Sequence, residues 1–153
     1  MSSSLNPLPK LRIGLGYDSH RLGNKGPLRI GGIDIAADVQ AIGHSDADVL
    51  LHSITDALLG AVFEADIGRL FPDCADENEN RDSRDFVVAA LERIGAREMR
   101  IVNLDCVILA ERPKMAPHID TMRDAIADML SIDPSQISIK AKTGEGVGEI
   151  GSG

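Results

Sequence analysis

The chain has 153 residues, 43% of them hydrophobic and 26% charged, enough for one domain with a sizeable core and short for two. Acidic residues outnumber basic ones 24 to 16, and the net charge of −8, with three Phe, one Tyr and no Trp, argues against a nucleic-acid partner. No apolar run reaches the roughly 18 to 20 residues of a membrane span, and MSSSLNPLPK lacks the apolar core of a signal peptide, so a cytoplasmic protein without a membrane partner is expected.

Residues 1–10 read as a frayed Ser/Pro-rich lead-in to a single domain over 11–153. LRIGLGYD (11–18) alternates like a strand, and LRIGGIDIA (28–36) does so again after a Gly/Pro turn. Ser45 stands at capping-box spacing from Asp48, just before DADVLLHSITDALLGAVF, where Leu50, Leu51, Ile54, Leu58 and Ala61 recur at helical spacing. Residues 64–82, acidic and broken by Gly68 and Pro72, read as a long loop. Ser83 is placed to cap a helix through about Ile94, with Gly95 as its stop. A β-rich run at 99–110, a helix from about Ala116 to Leu130, a turn at SIDPSQ and a strand at 138–143 follow. The order β-β-α-α-β-α-β predicts an α+β fold, a mixed β-sheet layered with α-helices. The terminal GEGVGEIGSG closes no element and reads as a loop whose following strand is absent.

Asp18 and His20 are two apart on a predicted strand, so both side chains leave one face and can reach one ion. His52 lies on the capped helix, with Asp48 and Asp56 one turn to either side as supporting positions. One Asp and two His make a three-ligand set with a fourth tetrahedral position open, and imidazole favours zinc over magnesium. The same residues also fit a plain turn histidine and a helix histidine bonded to Asp48 or Asp56. His44 and Ser45 precede the helix, where free N–H groups attract anions, though Ser45 also serves as a simple cap. Lys140, Lys142, Thr143 and Glu145 cluster before the Gly-rich tail, as a phosphate and cation site or as a solvated strand end. Cys74 and Cys106, 32 residues apart, read as plain thiols, and His118 as structural. In so acidic a chain, a polyanionic substrate calls for bound divalent ions to offset repulsion.

IGLGYDSHRL, GHSDADVLLHSITDALLGA, DIGRLFPD, SRD (83–85), ILAERPKMAPHI and IKAKTGEGVG together resemble the 2-C-methyl-D-erythritol 2,4-cyclodiphosphate synthase family of the non-mevalonate isoprenoid pathway. The resemblance runs from about Arg12 to Gly151 and implies metal-dependent intramolecular phosphoryl transfer with release of CMP. It implies zinc on Asp18, His20 and His52, and a second cation, Mg or Mn, on Glu145. His44 and Ser45 would meet the phosphates, with His44 and Thr143 as catalytic donors. Asp66, Ile67 and Gly68 would surround the methylerythritol unit, with Phe71, Pro72 and Asp73 closing over it. Ala110 through Ala116, including Pro113, Lys114 and Met115, would line the cytidine pocket, with Lys142 nearby. It also implies a homotrimer with sites shared between neighbouring subunits. Lys142 stands where the family commonly has a small hydroxyl residue, and Glu149 and Ser152 where an aromatic and an arginine are common. Family chains continue with a further strand. Two other readings of the same residues are a zinc phosphohydrolase and a non-catalytic zinc or nucleotide-binding module.

Overall fold

The computed structural model describes residues 11–72, 75 and 78–151; Asp73, Cys74 and Ser152 lie outside them. Four short strands come first: β1 (Arg21–Asn24), β2 (Leu28–Ile30), β3 (Ile33–Ile35) and β4 (Val39–Ile42). They are followed by α1 (Val49–Ala61), α2 (Ile67–Leu70), α3 (Ser83–Ala96), β5 (Leu104–Leu109), α4 (Ile119–Leu130), β6 (Ile137–Lys142) and α5 (Gly148–Gly151). Strands β1 and β4 pair antiparallel, as do β2 and β3, whereas β5 and β6 run parallel on either side of the α4 crossover. The fold is α+β with mixed sheets, as the element order predicted.

Several elements differ from expectation for identifiable reasons. The run at 28–36 is a hairpin, because Gly31 and Gly32 take φ of +63° and +77° and form a two-residue turn. Residues 11–18 alternate as expected, but among the described residues they have no ladder partner, and periodicity reports burial rather than pairing. Gly14 and Gly16 lie directly on α1, where an added Cβ would come within 1.7 Å of the Ala57 carbonyl oxygen and 1.8 Å of that of Ser53. On the other face Leu11, Ile13, Leu15 and Tyr17 are all more than 70% exposed. The 64–82 region contains the single turn α2, and neither β1, which runs into the expected Gly/Pro turn, nor β4 was anticipated.

The core gathers Leu50, Leu51, Ile54, Leu58 and Leu59 of α1 with Val87, Ala90 and Ile94 of α3. Met122, Ile126, Ala127 and Leu130 of α4 join them, with Ile137 and Ile139 of β6. Each large aliphatic side chain so buried contributes about 1.5–3 kcal/mol against leaving it in water. This packing of α1 against α3 brings residues 52 and 83 face to face.

Candidate metal centre

The start of α1 decides where His52 points. Ser45 does not cap this helix: Ala47 takes φ of +58°, which breaks any helix through it, and Asp48 is the N-cap, accepting from Leu51 N at 3.0 Å. Asp48 is fully buried and also accepts from Gly31 N at 2.8 Å and Gly32 N at 2.6 Å. It thereby bolts the β2–β3 turn to the helix start. Burial drives its carboxyl above the usual range, against these three N–H bonds. The alternative in which the His52 ring donates to Asp48 is not realised, because both Asp48 oxygens accept from main-chain donors. Asp56 likewise accepts from Ile67 N, at 2.8 Å, and ties α2 to α1 rather than bonding to His52. Burial raises the Asp56 carboxyl, and repulsion from Asp66 and Asp18 adds to the effect.

His52 is buried, not on a polar helix surface, and its ring joins two groups of partners. Nδ1 lies 3.0 Å from Asp18 Oδ2, and the same oxygen lies 3.2 Å from His20 Nδ1. The ligand atoms of Asp18, His20 and His52 all fall within 4.8 Å of one another. His20 Nδ1 is buried and without a hydrogen-bond partner, since its approach to Asp18 has the distance but not the direction of a hydrogen bond. Ligands bound to zinc at roughly 2.0–2.1 Å in a tetrahedron stand about 3.3 Å apart, so the spacing and the orphaned nitrogen both fit a cation. Gly43 leaves room for the His20 ring, which a Cβ there would meet at 2.9 Å.

On the far side of the ring, His52 Nε2 lies 3.0 Å from Ser45 Oγ and 2.8 Å from Ser83 Oγ. Ser83 was expected only as a helix cap; Asp82 takes that place, accepting from Arg84 N at 2.9 Å, and leaves the Ser83 hydroxyl free for the site. No local pattern marks Ser83 or its partner Asp46 as neighbours of His52, because the contact spans 31 residues and exists only once α1 and α3 pack.

The remaining expected residues fall into two groups. Near the triad, His44 is exposed and its carbonyl accepts from Asn80 N at 2.9 Å. Asp66 caps α2, which carries Ile67 and Gly68, by accepting from Arg69 N at 2.9 Å. The Phe71 ring lies 4.7 Å from that of Phe86, itself 5.8 Å from the His52 ring, with the Arg81 guanidinium 4.9 Å above Phe71. These contacts hold the chain before exposed Pro72 beside the metal centre. The second group leaves the carboxyl ends of β5 and β6. Leu109 pairs with Lys142 and Ala110 N donates to Lys142 O at 3.0 Å, so the loops bearing Ala110–Ala116 and Thr143–Glu145 emerge side by side. Pro113 is half-buried, Lys114, Ala116, Lys142, Thr143 and Glu145 are exposed, and Met115 turns its side chain into the core. Among the described residues no hydrogen bond or ion pair joins this group to the triad.

Taken together, the structure is an α+β domain with an Asp/His/His cluster able to hold a divalent cation and, apart from it, a pair of loops at the ends of two parallel strands. Residues 11–153 match the YgbB family. The chain is 66% identical over 140 residues to the 2-C-methyl-D-erythritol 2,4-cyclodiphosphate synthase of Rhodopirellula baltica, covering 92% of this chain and 84% of that protein. It is 46% identical over 141 residues to the enzyme of the same name from Gemmatimonas aurantiaca, covering 92% and 85%. Among solved structures it is similar to a 2C-methyl-D-erythritol-2,4-cyclodiphosphate synthase in a CDP-bound form, with TM-score 0.84, 37% identity and coverage of 89% and 91%. A Plasmodium falciparum IspF–CDP complex gives 0.81, 38%, 92% and 86% for the same measures. The chain belongs to the YgbB family, the 2-C-methyl-D-erythritol 2,4-cyclodiphosphate synthases, and is accordingly a lyase.

Proposed function

We propose that this chain converts 4-diphosphocytidyl-2-C-methyl-D-erythritol 2-phosphate to the cyclic 2,4-diphosphate and CMP, a step of isoprenoid biosynthesis in the cytoplasm. The observation that carries the reading is the Asp18–His20–His52 cluster, in which three ligand atoms converge around an orphaned, buried His20 nitrogen. An oxygen of the 2-phosphate attacks the β-phosphorus and the bond to the CMP oxygen breaks. The nucleophile is already an anion and the leaving group departs as one, so no general base is required and catalysis is positioning plus charge stabilisation. Asp18, His20 and His52 would hold a divalent cation, zinc by the two imidazoles, which would supply Lewis-acid neutralisation of the phosphate charge.

The chain's own groups do the rest. His44 and Ser45 donate to the phosphates beside the triad. Asp66, Ile67 and Gly68, with Phe71, Pro72 and Asp73, hold the methylerythritol unit. Ala110–Ala116 form the cytidine pocket, with Pro113 and Lys114 at its wall and Met115 contributing main chain. Thr143 donates to the diphosphate, with Lys142 beside it, and Glu145 is the ligand for a second cation, Mg or Mn. Residues 11–153 act as one domain, and three copies assemble with each site shared between neighbours. The row of exposed Leu11, Ile13, Leu15 and Tyr17 supports such burial against a second copy. The absence, among the described residues, of bonds between the triad and the β5–β6 loops within one chain supports a site completed across that interface. Among the described residues no helix is long and apolar enough to cross a membrane.

Phosphorus NMR of the protein with substrate, zinc and Mg, beside a chelator control, tests the reading. Chelator-sensitive appearance of CMP and a cyclic diphosphate is expected, whereas a linear product marks a hydrolase and no product a binding module. His52→Ala is expected to lose zinc and activity together, and Glu145→Gln to keep zinc while losing rate. Turnover by zinc-free His52→Ala would defeat the assignment.

A further inference from the structure

We infer that Ser83 and Asp46 form a directional hydrogen-bond chain behind His52 that fixes the imidazole as the Nε2–H tautomer and so presents the Nδ1 lone pair to the metal. The inference rests on the metal reading of Asp18, His20 and His52 and extends it to residues that touch neither metal nor substrate.

The direction of the chain follows from what each group can donate. Asp46 is held by the Ser83 hydroxyl and by three further donors: Ser83 N at 3.1 Å, Arg29 Nε at 3.0 Å and Asp48 N at 3.2 Å. Burial alone would raise this carboxyl, but the donors outweigh it and hold it below the usual range, so Asp46 is an ionised acceptor. Ser83 is fully buried and has one hydroxyl proton, which it donates in its hydrogen bond to Asp46. Toward His52 Nε2, 2.8 Å away, the Ser83 oxygen can then only accept, so that nitrogen carries the proton. Nδ1 is left bare, and it is Nδ1 that lies beside Asp18 and faces the cluster. A bare nitrogen against a carboxylate is repulsive by itself, and a cation between them resolves the repulsion.

The chain is also anchored at its far end. Arg29, on β2, reaches Asp34 at 3.0 Å and Asp82 at 3.7 Å as well as Asp46, linking the hairpin, the helix start and the cap of α3. Ser45 lies 3.0 Å from the same His52 nitrogen but has no bond to Asp46, so nothing sets the direction of its hydroxyl, and it stays available to donate to a phosphate.

Zinc affinity by chelator competition, the absorption spectrum of the cobalt-substituted protein, and the 15N shifts of the His52 ring in the zinc-loaded protein form the test. Wild type is expected to bind zinc with Nε2 protonated. Ser83→Ala is expected to lose about 10–100-fold in zinc affinity and to alter the cobalt spectrum, and Ser83→Thr to restore both. Asp46→Asn, nearly isosteric, can donate to Ser83 and reverse the chain, so it is expected to weaken zinc comparably and populate the Nδ1–H form in the metal-free protein. Ser45→Ala is expected to leave zinc affinity within about twofold. Wild-type affinity and an unchanged tautomer in both Ser83→Ala and Asp46→Asn would overturn the inference and leave the metal reading intact. Failure of the wild-type chain to bind zinc would overturn both.

Discussion

At the scale of single residues, the site shows one carboxylate doing what its burial alone would forbid. Asp46 stays ionised in a half-buried position because four donors converge on it, and this couples its protonation to folding. Its folded pKa lies below the unfolded value of about 3.9, so in that window the unfolded chain binds more protons and stability rises with pH. The Asp46 contribution is therefore complete above about pH 5 and is lost as pH falls through the folded value. Urea midpoints of the metal-free protein between pH 3 and 6 are expected to fall less steeply for Asp46→Asn than for wild type. Parallel curves would mean that the four donors do not favour the ionised form. The ligands themselves were legible as residue types: an Asp and a His two apart, then a His on an amphipathic helix. What Asp48 and Asp56 do was not legible, since proximity along a helix suggested the ring of His52, while unpaired main-chain N–H groups of the β2–β3 turn and of α2 compete for the same oxygens.

At the scale of elements, short pieces depend on tethers more than on their own propensity. The four-residue α2 is far below the length at which a helix is stable alone, and it is held by the Asp66 cap and by Asp56 reaching over from α1. Removing the α1 tether is expected to free the Ile67 amide: hydrogen exchange at residues 67–70 should quicken in Asp56→Ala, while Asp56→Asn, which keeps an acceptor oxygen, should exchange nearly as slowly as wild type. Equal protection in Asp56→Ala would show that the cap alone suffices. The long helices were readable because Leu50, Leu51, Ile54 and Leu58 repeat at one period, and all four are buried. Their first residues were harder: Ser45 and Ser83 both look like caps, and in both cases a nearby Asp takes the cap while the serine hydroxyl turns to His52. Short polar side chains serve caps and side-chain networks equally well, so their identity does not choose between the two.

At the scale of the whole molecule, a cation on the triad would link metal binding to folding, because the triad joins the segment at 18–20 to α1 and no unfolded chain holds those atoms together. Zinc bound there at a hundredfold excess over its dissociation constant would add about 2.7 kcal/mol, which in a domain of this size would raise the melting temperature by roughly 5–10 °C. Thermal melts with zinc and with chelator are expected to differ by that amount, and His52→Ala to abolish the difference. An equal shift in His52→Ala would place the stabilising ion elsewhere. The amino-acid sequence by itself determined the class of fold, the family and the membership of the Asp18–His20–His52 cluster, because these rest on local periodicity and on residue types in ordered blocks. The tertiary structure alone decided which hydroxyl and carboxylate stand behind His52 and which side of its ring faces Asp18. That choice depends on the direction of hydrogen bonds between α1 and α3, segments distant along the chain that meet only when the core packs.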